Sequence, residues 1–178
     1  MQSDHCILPG YEALHDLRIQ CWIDGVGITY VPGCWDGRGG GHLGHAICVD
    51  HCKQRRPNNI LVVGVATDET VRWLKSEPGD PRPLATATVR MRFMATQKPV
   101  DRVIEVVETG QAGADGDELI ALLLPDTYIA DKNDRSLIRK RLLCRKYGIE
   151  FLTHSRYEPW NAPGISTTML ERQQRCAA

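Results

Sequence analysis

The sequence predicts an α/β protein: a Rossmann-like parallel sheet of five strands with helices on both faces. Three observations predict it. Five short runs are rich in β-branched and apolar residues, of the kind buried on both faces. Segments of helical character separate them. The Pro and Gly clusters fall between the two kinds of segment and not inside them. In chain order, "GITYVPG" reads as the first strand, ending at Pro32-Gly33, and "HLGHAICVDHCKQRR" as a helix closed by Pro57. "NILVVGVA", almost wholly apolar, is a central strand. "TDETVRWLK" is a helix with Thr67 or Asp68 as N-cap and acidic residues in its first turn. "SEPGDPRPLAT" is a loop, "TVRMRFMATQ" a helix, "DRVIEVVE" a strand and "TGQAGADG" a loop. "DELIALLL" is a short helix ended by Pro125, "DTYIA" a strand, and "DRSLIRKRLLCRKYG" a helix stopped by Gly148. "IEFLTH" is the fifth strand, followed by the loop "SRYEPWNAPG" and a last helix, "ISTTMLERQQR". Residues 1–26 precede the alternation as an N-terminal extension, in which "YEALHDLRIQCW" reads as a helix on the sheet edge, and 27–178 form the domain.

Composition narrows the functional classes. The chain has 178 residues, 22 of them Lys or Arg and 22 Asp or Glu, so its formal charge is zero. No basic field argues for nucleic-acid binding. The longest apolar runs, "ILVVGVA" and "LIALLL", are too short to span a bilayer, and "MQSDHCILPGYEAL" lacks the basic start and apolar stretch of a secretory signal. Seven cysteines without C-x-x-C spacing suit reduced thiols in a cytoplasm.

The stretch "GCWDGRGGGHLGH", residues 33–45, is the chemical focus, with five glycines between Gly37 and Gly44. In a parallel sheet, ligands sit beyond the carboxyl ends of the strands, where this stretch joins the first strand to the first helix. A glycine loop running into a helix N-terminus makes an anion site: free N–H groups and the helix dipole face outward, and no Cβ keeps a phosphate away. His42 and His45, at i and i+3, share one face of the first turn and suit phosphate oxygens and charge building up in phosphoryl transfer. The Walker pattern is absent. A metal reading also exists, since Cys34, His42, His45, Cys48 and Cys52 lie close in sequence, although no compact C-x-x-C or H-x-x-x-H pair supports a tetrahedral zinc site.

The arrangement "GCWD…HLGH" resembles the Gly-x-Phe-Asp…His-x-Gly-His signature of the cytidylyltransferase-like nucleotidyltransferases. Later stretches agree in order: "VVGVATDETVRWLK" ending in Lys75, "RPLATATVRMRFMA" before "VDRVIEV", "ELIALLLPDTYIADKND", and "GISTTMLER". The Arg-Pro…Arg-Met segment is similar to the heptose-1-phosphate adenylyltransferase branch, and the resemblance covers residues 28–175. Three features depart from it. Asp36 and His42 are six residues apart where the family has three, Trp35 replaces phenylalanine, and "ADKND" lacks the family's glycines.

The resemblance implies transfer of a nucleoside monophosphate, with AMP favoured, from an NTP to a phosphorylated small molecule such as a sugar phosphate, with release of pyrophosphate. It implies His42, His45 and Lys75 in catalysis. Gly33, Cys34, Trp35, Gly41, His42, His45, Arg90, Ser166, Thr167 and Thr168 would bind the nucleotide, and Asp36 and Arg38 the acceptor. Mg²⁺ is the expected cofactor, ATP the favoured nucleotide with CTP the alternative, and a homodimer the expected assembly. A cytidylyltransferase of polyol or amino-alcohol phosphates is the second reading, because Arg156 precedes Gly164-Ile165-Ser166-Thr167-Thr168. A non-catalytic nucleotide-binding protein is the third, favoured by the altered first loop. Each residue also has an ordinary structural reading. Ser166–Thr168 is an N-cap run with Glu171 near, Lys75 a cation at a helix C-terminus, Arg90 and Arg92 a solvated helix face, and Asp36, the nearest candidate carboxylate for Mg²⁺, a brace of the loop.

Overall fold

A computed structural model describes residues 6–36, 40–76, 78–79, 81–106 and 117–154, of which 40–44 are described by their backbone alone. The order is α1 (Glu12–Ile23), β1 (Ile28–Gly33), α2 (Gly40–Arg55), β2 (Ile60–Ala66), α3 (Asp68–Lys75) and α4 (Ala87–Ala95), then β3 (Arg102–Val106), α5 (Asp117–Leu123), β4 (Thr127–Asp131), α6 (Leu137–Tyr147) and β5 (Glu150–His154). The five strands form one parallel sheet in the order β3-β2-β1-β4-β5. All five predicted strands are present, each within two residues of its expected ends. The final helix predicted over "ISTTMLERQQR", with Ser166, Thr167 and Thr168, lies outside the described residues, as does Arg38.

The period-2 alternation of side chains along a strand divides the core into two layers. Ile28, Tyr30, Val62, Ile104, Val106, Tyr128 and Ala130 point to one face, where Leu14 and Cys21 of α1, Leu119, Ile120 and Leu123 of α5 and Cys144 of α6 cover them. Val31, Leu61, Val63, Val65, Val103 and Ile129 point to the other, under Cys48, Val49 and Cys52 of α2 and Met94 and Ala95 of α4. Both faces are therefore covered, which is why the strand runs are nearly all apolar. Residues 6–23 pack on this body. Ile7 bridges Val103 in parallel, the Leu8 amide donates to the Val103 carbonyl (2.8 Å), and α1 joins the first layer through Leu14, which is fully buried.

Local chemistry sets the ends of the elements. Thr67 is the N-cap of α3 and accepts the Thr70 amide, and Thr86 caps α4 by accepting the Val89 amide. Gly148 ends α6 at φ +69°, a left-handed conformation that glycine adopts without a Cβ penalty. Asp134 accepts from the Ser136 amide (2.7 Å) and from Lys140 Nζ (2.8 Å), and so fixes the entry to α6. Among the described residues no helix is long and apolar enough to cross a membrane.

Candidate functional site

The strand order reverses at β1. The chain proceeds outward from β1 to β2 and β3, then returns to β4 on the other side of β1. Such a switch point opens a crevice at the carboxyl ends of β1 and β4, where α/β sheets bind ligands. Residues 34–36, which follow β1, sit at this edge, and α2 begins at Gly40. His42 falls in the first turn of α2 and His45 in its second.

The root of the loop is tightly held. Trp35 has φ +52°, rare for a bulky residue, and its ring is buried with 6% exposed. Its indole Nε1 donates to the Gly64 carbonyl of β2 (2.8 Å), and the ring of His45 meets it edge-on with centroids 5.3 Å apart. A Cβ on Gly33 would stand 2.9 Å from Trp35 Cε2, so glycine here is what allows the indole to fold back under the strand end. Trp35 thus acts as a buried wedge that carries the backbone of 33–36 and supports His45.

Two arginines from the segment 82–90 brace the same root. The Asp36 side chain is wholly buried. Its Oδ2 accepts from Arg82 (3.0 Å) and its Oδ1 from the amides of Leu84 (2.8 Å) and Ala85 (3.3 Å). Arg90, 1% exposed, donates from Nε to the Ala85 carbonyl (2.9 Å), from one terminal nitrogen to the Cys34 carbonyl (2.5 Å) and from the other to the Asp68 carboxylate (2.7 Å). The same Asp68 oxygen accepts the Ala87 amide (2.6 Å). Both ion pairs lie at least partly out of water, where a hydrogen-bonded guanidinium fork fixes geometry in a way a point charge cannot.

This places the sequence-predicted residues in two groups. Gly33, Cys34, Trp35, His45 and the backbone of Gly41 and His42 gather at the switch point. Asp36 and Arg90 are beside them but turned inward. Asp36, expected at the acceptor, is the anchor of the 82–85 segment, and Arg90, expected to clamp phosphate, holds the carbonyls of Cys34 and Ala85. Lys75 is half-buried in the last turn of α3 and makes no ion pair among the described residues. Arg82 and Asp68 complete the bracing and were not singled out for it from sequence. The signal was present in the Arg-Pro…Arg spacing, but the inward turn of Arg90 depends on tertiary structure.

A second cluster lies further along α2. Cys48 and Cys52, one turn apart on α2, meet His154 at the end of β5, and one donor atom from each lies within 4.8 Å of the others. Cys48 Sγ is 3.5 Å from His154 Nε2. All three are buried. A hydrogen bond with Cys52 and burial push the Cys48 thiol well up, and the contact with His154 offsets this in part. Sequence grouped Cys48 and Cys52 with Cys34, His42 and His45 as nearby metal-ligand types. The structure instead pairs them with His154, 106 residues from Cys48.

No family model matches the chain, and no curated protein matches it. Among solved structures, a macrolide-efflux protein from Streptococcus pneumoniae is similar at 16% identity with a TM-score of 0.49, over 73% of this chain and 45% of that one. A universal stress protein in complex with cAMP is similar at 16% identity with a TM-score of 0.40, over 74% of this chain and 98% of that one. The chain thus spans less than half the length of the first. At these scores neither likeness carries functional weight.

Proposed function

We propose that the chain is a nucleotidyltransferase that moves a nucleoside monophosphate, AMP by preference, from an NTP to a phosphorylated small molecule and releases pyrophosphate. The observation that carries this reading is the coincidence of the His-Leu-Gly-His sequence with the start of α2 at the switch point, on a loop root that Trp35, Arg82 and Arg90 hold in place. A phosphate oxygen of the acceptor attacks the α-phosphorus in line. A new P–O bond forms, the bond to the bridging oxygen of the β-phosphate breaks, and pyrophosphate leaves with that electron pair. No protein nucleophile takes part, so the protein's work is positioning and charge stabilisation.

In this reading the amides at the start of α2 receive the triphosphate, and His42 and His45 donate to oxygens of the phosphate undergoing transfer. Buried Trp35 sets the position of His45 from below. Arg90 acts at one remove, by fixing the Cys34 carbonyl and hence the direction of the loop amides. Lys75, Arg38 and Ser166–Thr168 keep the phosphate-binding roles that the resemblance implies. Asp36 does not fit as a ligand for Mg²⁺, because both its oxygens already accept from Arg82 and from the amides of Leu84 and Ala85. The ion is therefore left to the phosphates of the nucleotide. The Arg156…Ile165-Ser166-Thr167-Thr168 order favours a second reading, a cytidylyltransferase of polyol or amino-alcohol phosphates.

A pyrophosphate-release screen of four NTPs against sugar and polyol phosphates tests the proposal. Turnover should be greatest with ATP, and His42→Ala and His45→Ala should each lower it by about two decades or more, about 3 kcal/mol, with the circular dichroism unchanged. CTP binding at least about tenfold tighter than ATP moves the assignment to the cytidylyl reading. Nucleotide binding without pyrophosphate release from any pair makes the chain a binding protein. Rates in both histidine variants close to the parent remove the histidines from the chemistry.

A further inference from the structure

We propose that Cys48, Cys52 and His154 form a binding site for a thiophilic divalent cation of the zinc class, which ties α2 to β5. The donor set is the first reason. Two thiols and an imidazole are zinc ligands of choice, and they come from two separate elements that the fold alone brings together. The geometry is the second. Zinc about 2.3 Å from sulfur and about 2.1 Å from nitrogen, in tetrahedral coordination, separates the two donors by about 3.6 Å. Cys48 Sγ and His154 Nε2 are 3.5 Å apart, and the whole set falls within 4.8 Å. The i, i+4 spacing of the two cysteines puts both sulfurs on one face of α2, so binding needs rotamer adjustment and no unwinding.

Charge is the third reason. The site is buried, with Cys52 wholly enclosed and Cys48 and His154 less than a tenth exposed. A dication bound by two thiolates and a neutral imidazole is neutral overall, so no net charge is placed in the core. On binding, each thiol gives its proton to buffer, two sulfur–metal bonds and one nitrogen–metal bond form, and a neutral water completes the tetrahedron, so the exchange of one dication for two protons balances. The seam is already closed at the other end of α2. Arg55 donates to the Thr153 carbonyl (3.2 Å), and Arg56 pairs with Glu150. A metal at Cys48 and Cys52 would fasten the same seam one to two turns nearer His45. It adds a structural fixing to the proposed catalytic helix and does not depend on the nucleotidyltransferase reading.

Cobalt titration of the full chain, reduced and stripped with a chelator, tests this. One equivalent of Co²⁺ should saturate a thiolate-to-cobalt charge-transfer band and the visible bands of a tetrahedral site, and one equivalent of Zn²⁺ should bleach both. Cys52→Ser and His154→Asn should each weaken cobalt binding at least about tenfold, while Cys6→Ser, outside the cluster, leaves it unchanged. Absence of charge transfer at one equivalent in the parent overturns the proposal, as does retention of the full spectrum in both variants. If the variants do not fold, the parent titration decides alone: saturation at one equivalent and bleaching by zinc support the site, and their absence refutes it.

Discussion

Replacing Arg90 with methionine separates two roles that a buried arginine beside the proposed phosphate site can have. Its guanidinium makes three hydrogen bonds of 2.5–2.9 Å, to the Cys34 and Ala85 carbonyls and to Asp68. Methionine fills most of the volume and donates nothing. Two partly buried carbonyls then lose their partner, at about 1–2 kcal/mol each. Asp68 suffers less: its side chain is 31% exposed, so water reaches it, and it keeps the Ala87 amide. Some of the loss is recovered because no charge has to be desolvated. The balance is about 2–4 kcal/mol of lost stability, below the cost of orphaning a charge that water cannot reach. Against a total of about 5–15 kcal/mol, a large part of the native margin would go. Arg90→Lys keeps the charge but cannot span three acceptors, so about 1–3 kcal/mol is expected. Urea unfolding followed by tryptophan fluorescence measures both, with nucleotide titration calorimetry alongside. If Arg90→Met unfolds within about 1 kcal/mol of the parent while nucleotide affinity falls about tenfold, the bracing role is refuted and Arg90 is a phosphate clamp after all.

Three further outcomes follow from particular contacts. Gly33→Ala should destabilise by about 1–3 kcal/mol and shift the emission of Trp35, because the new Cβ meets the indole ring; an unchanged spectrum and urea midpoint contradict the wedge. Burial acts to raise the Asp134 carboxyl, but Lys140 and then Ser136 outweigh it and hold the group below its ordinary value. The stability this supplies is present above the unfolded value, near pH 4, and is lost as pH falls through the folded one, so Asp134→Asn should converge with the parent in acid; a constant difference from pH 7 to 2 speaks against it. Burial pushes the Cys144 thiol up to about 12, a shift only partly offset by a backbone hydrogen bond and Lys140. A raised thiol stabilises the fold fully below the unfolded value and loses that contribution as pH rises from about 9 towards 12; Cys144→Ala should flatten that alkaline decline, and an identical slope in both proteins would contradict it.

The sheet was readable from sequence because its information is local. "NILVVGVA" and "DTYIA" are buried on both faces and flanked by turn residues, so composition alone marks them as strands. The stop of α6 at Gly148 was equally local. The orientation of Arg90 was not. In "TVRMRFMATQ", Arg90 and Arg92 look alike, and only packing against Cys34, Asp68 and Ala85 sends one inward and leaves the other exposed. Asp36 was placed correctly at the strand end, but its partners come from 46 to 49 residues later, across a loop whose path no pattern shows. His154 is the extreme case. Nothing around "IEFLTH" points to α2, and the meeting with Cys48 exists only because β5 takes the edge position next to β4.

The bracing of the β1 loop has a consequence for how this chain can diversify. Both buried cations hold the part of the loop nearest the sheet, residues 34–36. Length changes between Asp36 and His42 therefore need not disturb the anchorage, and the three extra residues found there relative to the nucleotidyltransferase signature fit that division. Selection can vary the outer part of the loop one residue at a time, each variant inheriting an unchanged foundation, while any change at Arg82 or Arg90 alters every variant at once. Sequence drift should accordingly concentrate in 37–39, ahead of α2, and be nearly silent at 82 and 90, so that the acceptor contact proposed for Arg38 falls in the part of the chain most free to vary.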